Sequence, residues 1–312
     1  MVVKIENLHK TYKNKVKALN NLSFQVRDGE IFGLLGPNGS GKTTCINCML
    51  ALLKYEEGTI EIFNQPMTAT SYDIKRNIGV ITQNVAVFNV LTVWENIDYF
   101  CGLYVADKEE RHKLVEEAIQ FVALDEFRNF YPHKLSGGLL RRLHIACGIA
   151  HKPKLIILDE PTVGVDPQSR NKILEGIKKL NQEGATIIYT SHYMEEVEFL
   201  CDYILIMDKG KVIAEGSKEE IKSMIDLGET IEIELTEPNE DIIQDIQKIN
   251  NVNKVYYKDK LLVVKSGKGK TNIPAVLEIL NKHQLEYEKI YSELPTLNDV
   301  FLEITGKELR DQ

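Results

Sequence analysis

Ile31-Phe32-Gly33-Leu34-Leu35-Gly36-Pro37-Asn38-Gly39-Ser40-Gly41-Lys42-Thr43-Thr44 is the stretch that decides the fold. An apolar run, a glycine-rich turn and a helix opening at Gly41 form the context in which G-x-x-x-x-G-K-[ST] becomes a phosphate site. Glycines let the backbone curl so that N–H groups point at phosphate oxygens, and the helix N-terminus adds positive potential. We predict a nucleotide site in which Lys42 supplies charge to the outer phosphates and the Thr43 hydroxyl ligates Mg²⁺.

Composition places the chain among globular proteins. Its residues are 43% hydrophobic and 27% charged, as in soluble globular domains. Its length of 312 residues favours about two domains. The formal net charge of −8 argues against a general nucleic-acid binder, so we expect no nucleic-acid partner. The sequence has no apolar run of about eighteen residues and no signal-peptide pattern at its start, which predicts a cytosolic location.

The five cysteines do not suggest a disulfide framework, since their number is odd and they are scattered. Cys45 and Cys48 form a C-x-x-C pair, which can indicate redox chemistry. They lie inside the helix after the glycine-rich turn, among apolar residues, and no second Cys or His pair completes a metal site. We interpret them as packing residues.

Alternating apolar runs and turns predict the opening of an α/β domain. A helical block follows from about Val90 to Ala150, and it contains an amphipathic helix at Lys108–Leu124. The strands predicted before this block are Val2–Ile5, Leu22–Val26, Ile31–Leu35, Thr59–Phe63 and Ile78–Thr82.

A second apolar run, Leu155–Leu158, ends in the carboxylates Asp159 and Glu160. At the carboxyl edge of a parallel sheet these acids would lie beside the glycine-rich turn. Asp159 suits Mg²⁺ held through water, and Glu160 suits a general base that polarises the attacking water. Two solvated surface charges are the alternative, which the preceding apolar run and the following Pro161 disfavour.

Three further side chains are candidates for the same site. Gln83 follows a predicted strand and is placed to reach Mg²⁺ or the attacking water, with a polar loop residue as the alternative. His192 ends the predicted strand Thr186–Ser191, where an imidazole can contact the γ-phosphate. Tyr12 can stack on an adenine face, and an ordinary surface tyrosine is the other interpretation.

The helical block contains Leu135-Ser136-Gly137-Gly138 just before a predicted helix at Leu139–Ala150. A serine followed by glycines can be a simple helix N-cap. It can equally be a second anion site built from unpaired N–H groups. The motif alone does not decide between the two.

Taken in this order, the glycine-rich turn, Gln83, the Leu135–Gly138 motif, the Leu155–Glu160 strand and His192 resemble the nucleotide-binding domains of the ATP-binding cassette (ABC) family. The resemblance implies an α/β P-loop NTPase fold over residues 1–227. This domain would comprise a RecA-like core, an antiparallel β subdomain and a helical subdomain at about residues 88–150.

The resemblance also implies a head-to-tail dimer. Each ATP would lie between the Lys42 loop of one copy and the backbone of Ser136, Gly137 and Gly138 of the other, and Asp166 would communicate across the dimer. Tyr12 matches the aromatic residue that stacks on adenine, and Thr44 the residue that reaches the α-phosphate. The residues assigned to the nucleotide loop are Gly36, Pro37, Asn38, Gly39, Ser40, Gly41, Lys42, Thr43 and Thr44.

Residues 228–312 predict a separate small domain. Their βαββαβ order is that of a ferredoxin-like α+β module. The ending Leu294–Glu303 resembles the tail of exporter-type cassette subunits whose permease is a separate chain. A regulatory or dimer-supporting role and an inert stabilising cap both remain open.

The functional hypothesis is therefore an ATPase subunit that energises a separate integral membrane permease, with export as the direction implied by the tail. It would use ATP and Mg²⁺, dimerise with itself or with a related subunit, and lie on the inner face of the membrane through the permease. The rival hypothesis is a soluble cassette ATPase acting on ribosomes or DNA. One cassette, an insertion of ordinary size and an acidic net charge disfavour it.

Overall fold

The computed structural model describes residues 1–225, 228–235 and 240–306. By their internal packing these residues form two compact units, Met1–Lys218 and Glu219–Gly306. The domain boundary that the sequence predicts after residue 227 stays a prediction, because residues 226 and 227 lie outside the described part of the chain.

The first unit is built on two sheets. Their strands are β1 (Val3–Thr11), β2 (Lys17–Val26), β3 (Ile31–Leu35), β4 (Glu57–Ile62), β5 (Gln65–Pro66), β6 (Ile78–Ile81), β7 (Leu155–Asp159), β8 (Thr186–Thr190), β9 (Tyr203–Asp208) and β10 (Lys211–Ser217). The smaller sheet is antiparallel in the order β2-β1-β4-β5, and the larger has the order β10-β9-β3-β8-β7-β6.

The larger sheet positions the site. Strands β6, β7, β8, β3 and β9 pair in parallel, and β10 closes one edge antiparallel to β9. Every residue of β3, β7 and β8 is buried, as expected for strands covered on both faces. The carboxyl ends of these three neighbouring strands therefore meet at one edge, which is where open α/β sheets bind ligands.

Four helices of the first unit have side-chain caps that fix where they begin. Thr92 and Glu95 form a capping box, and Asp107 and Ser136 cap the next two long helices. The helices are α1 (Lys42–Met49), α2 (Tyr72–Lys75), α3 (Val93–Gly102), α4 (Lys108–Phe121), α5 (Gly137–Ile149), α6 (Pro167–Gln182), α7 (Met194–Leu200) and α8 (Lys218–Ser223), the last reaching into the second unit, and 3₁₀ turns lie at Asp125–Phe127 and Pro132–Lys134.

The second unit has the predicted βαββαβ order. Its elements are β11 (Thr230–Leu235), α9 (Glu240–Gln247), β12 (Val252–Lys258), β13 (Leu261–Ser266), α10 (Ile273–Lys282), β14 (Tyr287–Glu293) and α11 (Leu297–Thr305). The antiparallel sheet runs β12-β13-β11-β14, so that the first and third strands of the motif are central, as in ferredoxin-like folds. A core of its own contains Ile231, Ile246 and Leu262.

The architecture confirms the predicted α/β fold, and several local features differ from the sequence predictions, among them strand β2, which begins at Lys17 rather than Leu22. Strand β1 extends to Thr11 rather than Ile5, because the hairpin with β2 continues through residues that are half-exposed and polar. Helix α5 begins at Gly137, since the Ser136 cap lies directly before it. Helix α11 was not predicted, although Thr296 and Asp299 form a capping box at its start.

The cysteines are all free and buried, which confirms the packing interpretation. Cys45 and Cys48 lie with Met49 in the core cluster beneath α1. Burial raises the pKa of Cys48 to about 11 and that of Cys45 further, so both thiols stay protonated at neutral pH. Across the described ranges, no helix combines the length and the apolar character needed to cross a bilayer.

Candidate nucleotide site

The glycine-rich turn joins the buried end of β3 to α1. Gly36 has φ +156° and Gly41 φ +110°, in the region of backbone conformation that favours glycine. A Cβ atom at Gly36 would lie 2.2 Å from the Met207 carbonyl oxygen, and one at Gly41 would lie 2.5 Å from that of Ala18. Other residues cannot occupy these two positions without moving the neighbouring backbone, so the curled shape of the turn depends on the glycines.

Lys42 points back into this turn. Its Nζ donates to the carbonyl oxygens of Gly36 (2.7 Å) and Pro37 (3.3 Å), and the residue is buried. The Ser40 Oγ below it is also buried and has no hydrogen-bond partner among the residues that the structure describes. A buried ammonium group inside a curl of backbone provides a concave positive surface, which is suited to an anion.

Asp159 ends β7 and faces the first turn of α1. The Thr43 hydroxyl lies 3.4 Å from Asp159 Oδ2, and the Thr190 hydroxyl donates to Oδ1 at 2.6 Å. These donors are oxygens, and Mg²⁺ is usually bound by one or two carboxylates together with waters and phosphates. Within the described ranges, no three His, Cys, Asp or Glu side chains cluster as a metal site. The donor set therefore fits a magnesium ion completed by phosphate and water.

Glu160 is the centre of the acidic end of the site. Its backbone adopts φ +49°, uncommon for a residue with a side chain, and its N–H donates to Thr190 Oγ1 (3.0 Å) and to the Thr190 carbonyl oxygen (3.2 Å). The carboxylate accepts from Gln83 Nε2 (3.1 Å), and Nδ1 of His192 lies 3.4 Å from the same oxygen. The side chains of Gln83, Glu160 and His192 thus meet at one point although they come from three segments.

Tyr12 lies beside the same helix. Its hydroxyl is hydrogen-bonded to the Thr44 hydroxyl at 3.1 Å, and the residue is 40% exposed. The structure therefore brings the predicted aromatic residue to the start of α1, with part of its surface open to solvent.

The Ser136 segment forms a second surface. Ser136 Oγ accepts from the Leu139 N–H at 3.3 Å, so the serine is an N-cap. A Cβ atom at Gly138 would lie only 2.4 Å from Ser169 Oγ on α6, whereas one at Gly137 would have no neighbour nearer than 3.7 Å. Gly138 is therefore needed for close packing within this chain, whereas the exposed Gly137 has room for a side chain.

Asp166 caps α6 next to this segment. Its Oδ1 accepts from the Ser169 N–H at 2.9 Å, and this hydrogen bond lowers the pKa of the exposed Asp166 carboxyl. The structure thus brings Asp166 together with the Ser136–Gly138 segment.

Comparison with known proteins identifies the family. Residues 19–163 match the family described as ABC transporter, and residues 216–305 match the C-terminal domain of DrrA1-3-like ATP-binding proteins. The linearmycin resistance ATP-binding protein LnrL of Bacillus subtilis (strain 168) is 36% identical over 312 residues, covering 99% of this chain and 100% of LnrL. The chain belongs to the ABC transporter family.

A further relative and a solved structure support the assignment of this ABC protein to its family. The Nod factor export ATP-binding protein I of Sinorhizobium fredii (strain NBRC 101917 / NGR234) is 32% identical over 320 residues, covering 100% of this chain and 88% of the relative. A dimeric ATP-binding cassette solved in a post-hydrolysis state with ADP and Pi matches with a TM-score of 0.63 and 30% identity, over 69% of this chain and 98% of that one. The protein is an ATP-binding, ATP-hydrolysing subunit of an ABC transporter, and the comparisons give no support to the ribosome or DNA alternative.

Two residues of this ABC subunit that serve the site are not evident from the sequence. Thr190 bonds both Asp159 and Glu160. The buried Arg141 on α5 donates to the carbonyl oxygens of Thr82 (2.9 Å) and Gln83 (2.7 Å), and burial lowers the pKa of its guanidinium. The sequence predicts that Thr190 lies near a strand end and that Arg141 lies in a helix. It does not predict their hydrogen-bond partners, which are distant in sequence.

Proposed function

We propose that this ABC subunit hydrolyses ATP with Glu160 as the general base, at a site that a second cassette completes. The observation that carries the proposal is the convergence on one Glu160 oxygen of Gln83 Nε2 at 3.1 Å and His192 Nδ1 at 3.4 Å. A carboxylate of low exposure next to an amide and an imidazole can accept a proton from water while both neighbours orient the reacting groups.

Phosphate binding is assigned to the loop from Gly36 to Thr44. Lys42 would exchange its two carbonyl acceptors for the outer phosphates, where a point charge counters the triphosphate best. Thr44 would reach the α-phosphate. The intervening residues Pro37, Asn38, Gly39, Ser40 and Gly41 would shape the loop around the anion.

Magnesium is assigned to the Thr43 hydroxyl and Asp159, with Gln83 alongside, because these oxygen donors fit the ion. When bound, the ion would neutralise charge that develops on the phosphate oxygens. The Thr190 hydroxyl would hold Asp159 in the orientation this requires.

Adenine is assigned to Tyr12. The hydrogen bond between the Tyr12 and Thr44 hydroxyls holds the ring beside α1, and the ring, which is 40% exposed, is available for stacking. His192 is assigned to the γ-phosphate, with its Nδ1 directed at Glu160.

A head-to-tail dimer would place Ser136, Gly137 and Gly138 of one copy over the nucleotide of the other. The exposed Gly137 and the positive end of α5 support this, since both suit an anion arriving from outside the chain. Asp166, next to this surface, would contact the partner. A matched cassette solved as a dimer provides a precedent for the assembly.

The membrane partner would be a separate permease, and the transport direction export. The names of LnrL and the Nod factor export protein, together with the matched DrrA-like C-terminal domain, support this assignment. The subunit would then lie at the inner face of the membrane through its permease, as a homodimer or with a related subunit.

The test is Glu160→Gln in the full chain. We expect the variant to bind ATP as wild type does, to accumulate as an ATP-bound dimer in size-exclusion chromatography, and to lose at least ~100-fold in phosphate release, the usual contribution of a general base. Lys42→Ala is the control that should lose both binding and dimerisation. Undiminished phosphate release by Glu160→Gln would remove the assigned base.

The dimer surface has its own test in Gly137→Asp. Because a side chain fits there within the chain and an acid favours a helix N-terminus by about 0.3–1 kcal/mol, the variant should fold normally. It should bind ATP at the Lys42 loop yet fail to dimerise and to hydrolyse. Wild-type turnover by Gly137→Asp would contradict the site shared between two copies.

Fractionation of the wild-type protein tests the transport assignment. Recovery of the protein with ribosomes, instead of with a polytopic membrane protein, would contradict that assignment.

A further inference from the structure

Glu196 is a fully buried carboxylate that the proposed chemistry does not use. It lies in the first turn of α7, four residues after His192, and its exposed fraction is 0%. Its Oε2 accepts from the hydroxyls of Tyr189 (2.6 Å) and Ser191 (2.7 Å), and its Oε1 lies 2.7 Å from Nε of Arg170. Two hydroxyl donors and one guanidinium, from two neighbouring segments, therefore converge on this one side chain.

The ion pair joins a fully buried carboxylate to a guanidinium that is 25% exposed, and such a pair contributes little to stability for the charge that it buries. Removing two charges from water costs several kcal/mol per ion, and an apolar pair of similar volume is often as stable or more so. Burial and the neighbouring Glu196 also raise the pKa of Tyr189 well above its usual value, so its hydroxyl remains a donor. What the pair provides is a fixed geometry between the elements that carry its members.

Arg170 connects this carboxylate to two other parts of the site. It lies on α6, where its backbone N–H donates to the Asp166 carbonyl oxygen at 2.9 Å in the first turn of the helix. Its guanidinium also lies over the Tyr193 ring, 4.9 Å from the centroid, and 3.3 Å from the exposed carboxylate of Glu195. One side chain thus joins the start of α6 to the residues that follow His192.

His192 lies between two residues held by this network. Ser191 Oγ donates to Glu196 and accepts from the Tyr193 N–H at 3.0 Å, so the backbone on both sides of His192 is fixed. The His192 and Tyr193 rings are in contact, with centroids 4.3 Å apart. Without the Glu196 carboxylate, nothing in this network would hold Ser191 Oγ in place to accept from Tyr193.

We propose that Glu196 and Arg170 are a positioning pair that sets the His192 imidazole against Glu160 and links it to the segment beginning at Asp166. The inference rests on the proposed role of His192 in hydrolysis. Neither residue of the pair touches the reacting atoms. The pair affects kcat only indirectly, because it determines the position of the His192 imidazole.

The experiment compares Glu196→Gln with Glu195→Gln in the full chain. Both substitutions remove one carboxylate that faces Arg170 from the same helix, but Glu195 has 78% of its side chain exposed whereas Glu196 has none. We expect Glu196→Gln to lose roughly ten- to hundredfold in kcat, because a small misplacement of a catalytic group has effects of this size, with the Kd for ATP unchanged within about twofold. Glu195→Gln should match wild type in both quantities.

A second variant separates positioning from stability. Combining Glu196→Gln with Arg170→Met removes both charges but keeps an acceptor for Tyr189 and Ser191, so we expect a Tm near that of wild type. A low kcat at normal Tm, with displaced ring resonances of His192 in NMR spectra, supports positioning. A kcat that recovers along with Tm in the double variant shows that the pair is merely structural and overturns the inference.

The variant His192→Ala, measured in parallel, tests the proposed role of His192 separately from the positioning role of Glu196 and Arg170. If His192→Ala hydrolyses ATP as wild type does, the proposed role of His192 fails, and the inference fails with it. If His192→Ala is inactive while folded Glu196→Gln retains wild-type kcat, the site assignment stands and the positioning pair alone is refuted.

Discussion

Replacing Thr190 with valine removes one hydroxyl that serves both acidic residues of the site. That hydroxyl donates to Asp159 Oδ1 at 2.6 Å and accepts from the Glu160 N–H at 3.0 Å. Valine has nearly the same shape, so the change removes the hydrogen bonds without opening a cavity. The Glu160 N–H keeps its second acceptor, the Thr190 carbonyl oxygen at 3.2 Å, and the main loss is therefore at Asp159.

The size of the effect follows from the charge on the acceptor. Hydrogen bonds to charged groups contribute about 1.5–3 kcal/mol, so we expect Thr190→Val to lower the free energy of unfolding by about 2 kcal/mol. If a comparable amount is lost from the transition state, kcat falls by roughly ten- to thirtyfold, since about 1.4 kcal/mol corresponds to a factor of ten. Urea unfolding followed by the fluorescence of Trp94, the single tryptophan, measures the first quantity, and phosphate release measures the second.

Thr186→Val is the matched control at the other end of β8. Its hydroxyl accepts from the Gly29 N–H at 2.9 Å and lies 3.4 Å from Asp28 Oδ1, away from the carboxyl edge of the sheet. We expect this variant to lose stability while keeping kcat within about twofold of wild type. If Thr190→Val also keeps wild-type kcat while its stability falls, the hydroxyl has no part in orienting the acids and the reasoning is refuted.

Gly138→Ala should destabilise the protein by about 1–3 kcal/mol, because its Cβ would lie 2.4 Å from Ser169 Oγ, whereas Gly137→Ala should leave Tm unchanged or raise it. Equal Tm values for the two variants would contradict the close packing. The His144 side chain is buried, and burial lowers its pKa from 6.5 to about 4, so the unfolded chain takes up a proton at higher pH than the folded one. The contribution of His144 to stability should therefore fall by about 2 kcal/mol between about pH 7 and pH 5, and urea unfolding of His144→Gln should show a fall that is smaller than that of wild type by this amount.

The nucleotide loop could be predicted from sequence because its determinants are contiguous. Two glycine positions, the buried strand before them and the lysine after them lie within a short stretch, and each is required by local backbone geometry. The end of β7 at Asp159 and the end of β8 at Thr190, two residues before His192, were predictable for a similar reason, since short apolar runs show where a buried strand stops.

The supporting residues could not be predicted because their partners are far away in sequence. Thr190 reaches Asp159 across 31 positions, and Arg141 reaches Thr82 across 59. Nothing local distinguishes a threonine that bonds a carboxylate of the candidate site from one that fits any buried strand, and an arginine near a helix start suggests an anion site as readily as a structural contact. The packing of Gly138 against Ser169 has the same character, since it depends on the approach of two helices.

Arg141 also has a mechanical consequence. It lies on the helix that begins directly after Ser136. Its guanidinium donates to two successive carbonyl oxygens of the segment from which the Gln83 side chain reaches Glu160. The guanidinium of Arg141 therefore connects the helix that begins at Gly137 to the backbone of Gln83, whose side chain donates to Glu160. If that helix rotates relative to the sheet, we expect Gln83 to move with it and to shift the carboxylate that we propose as the general base.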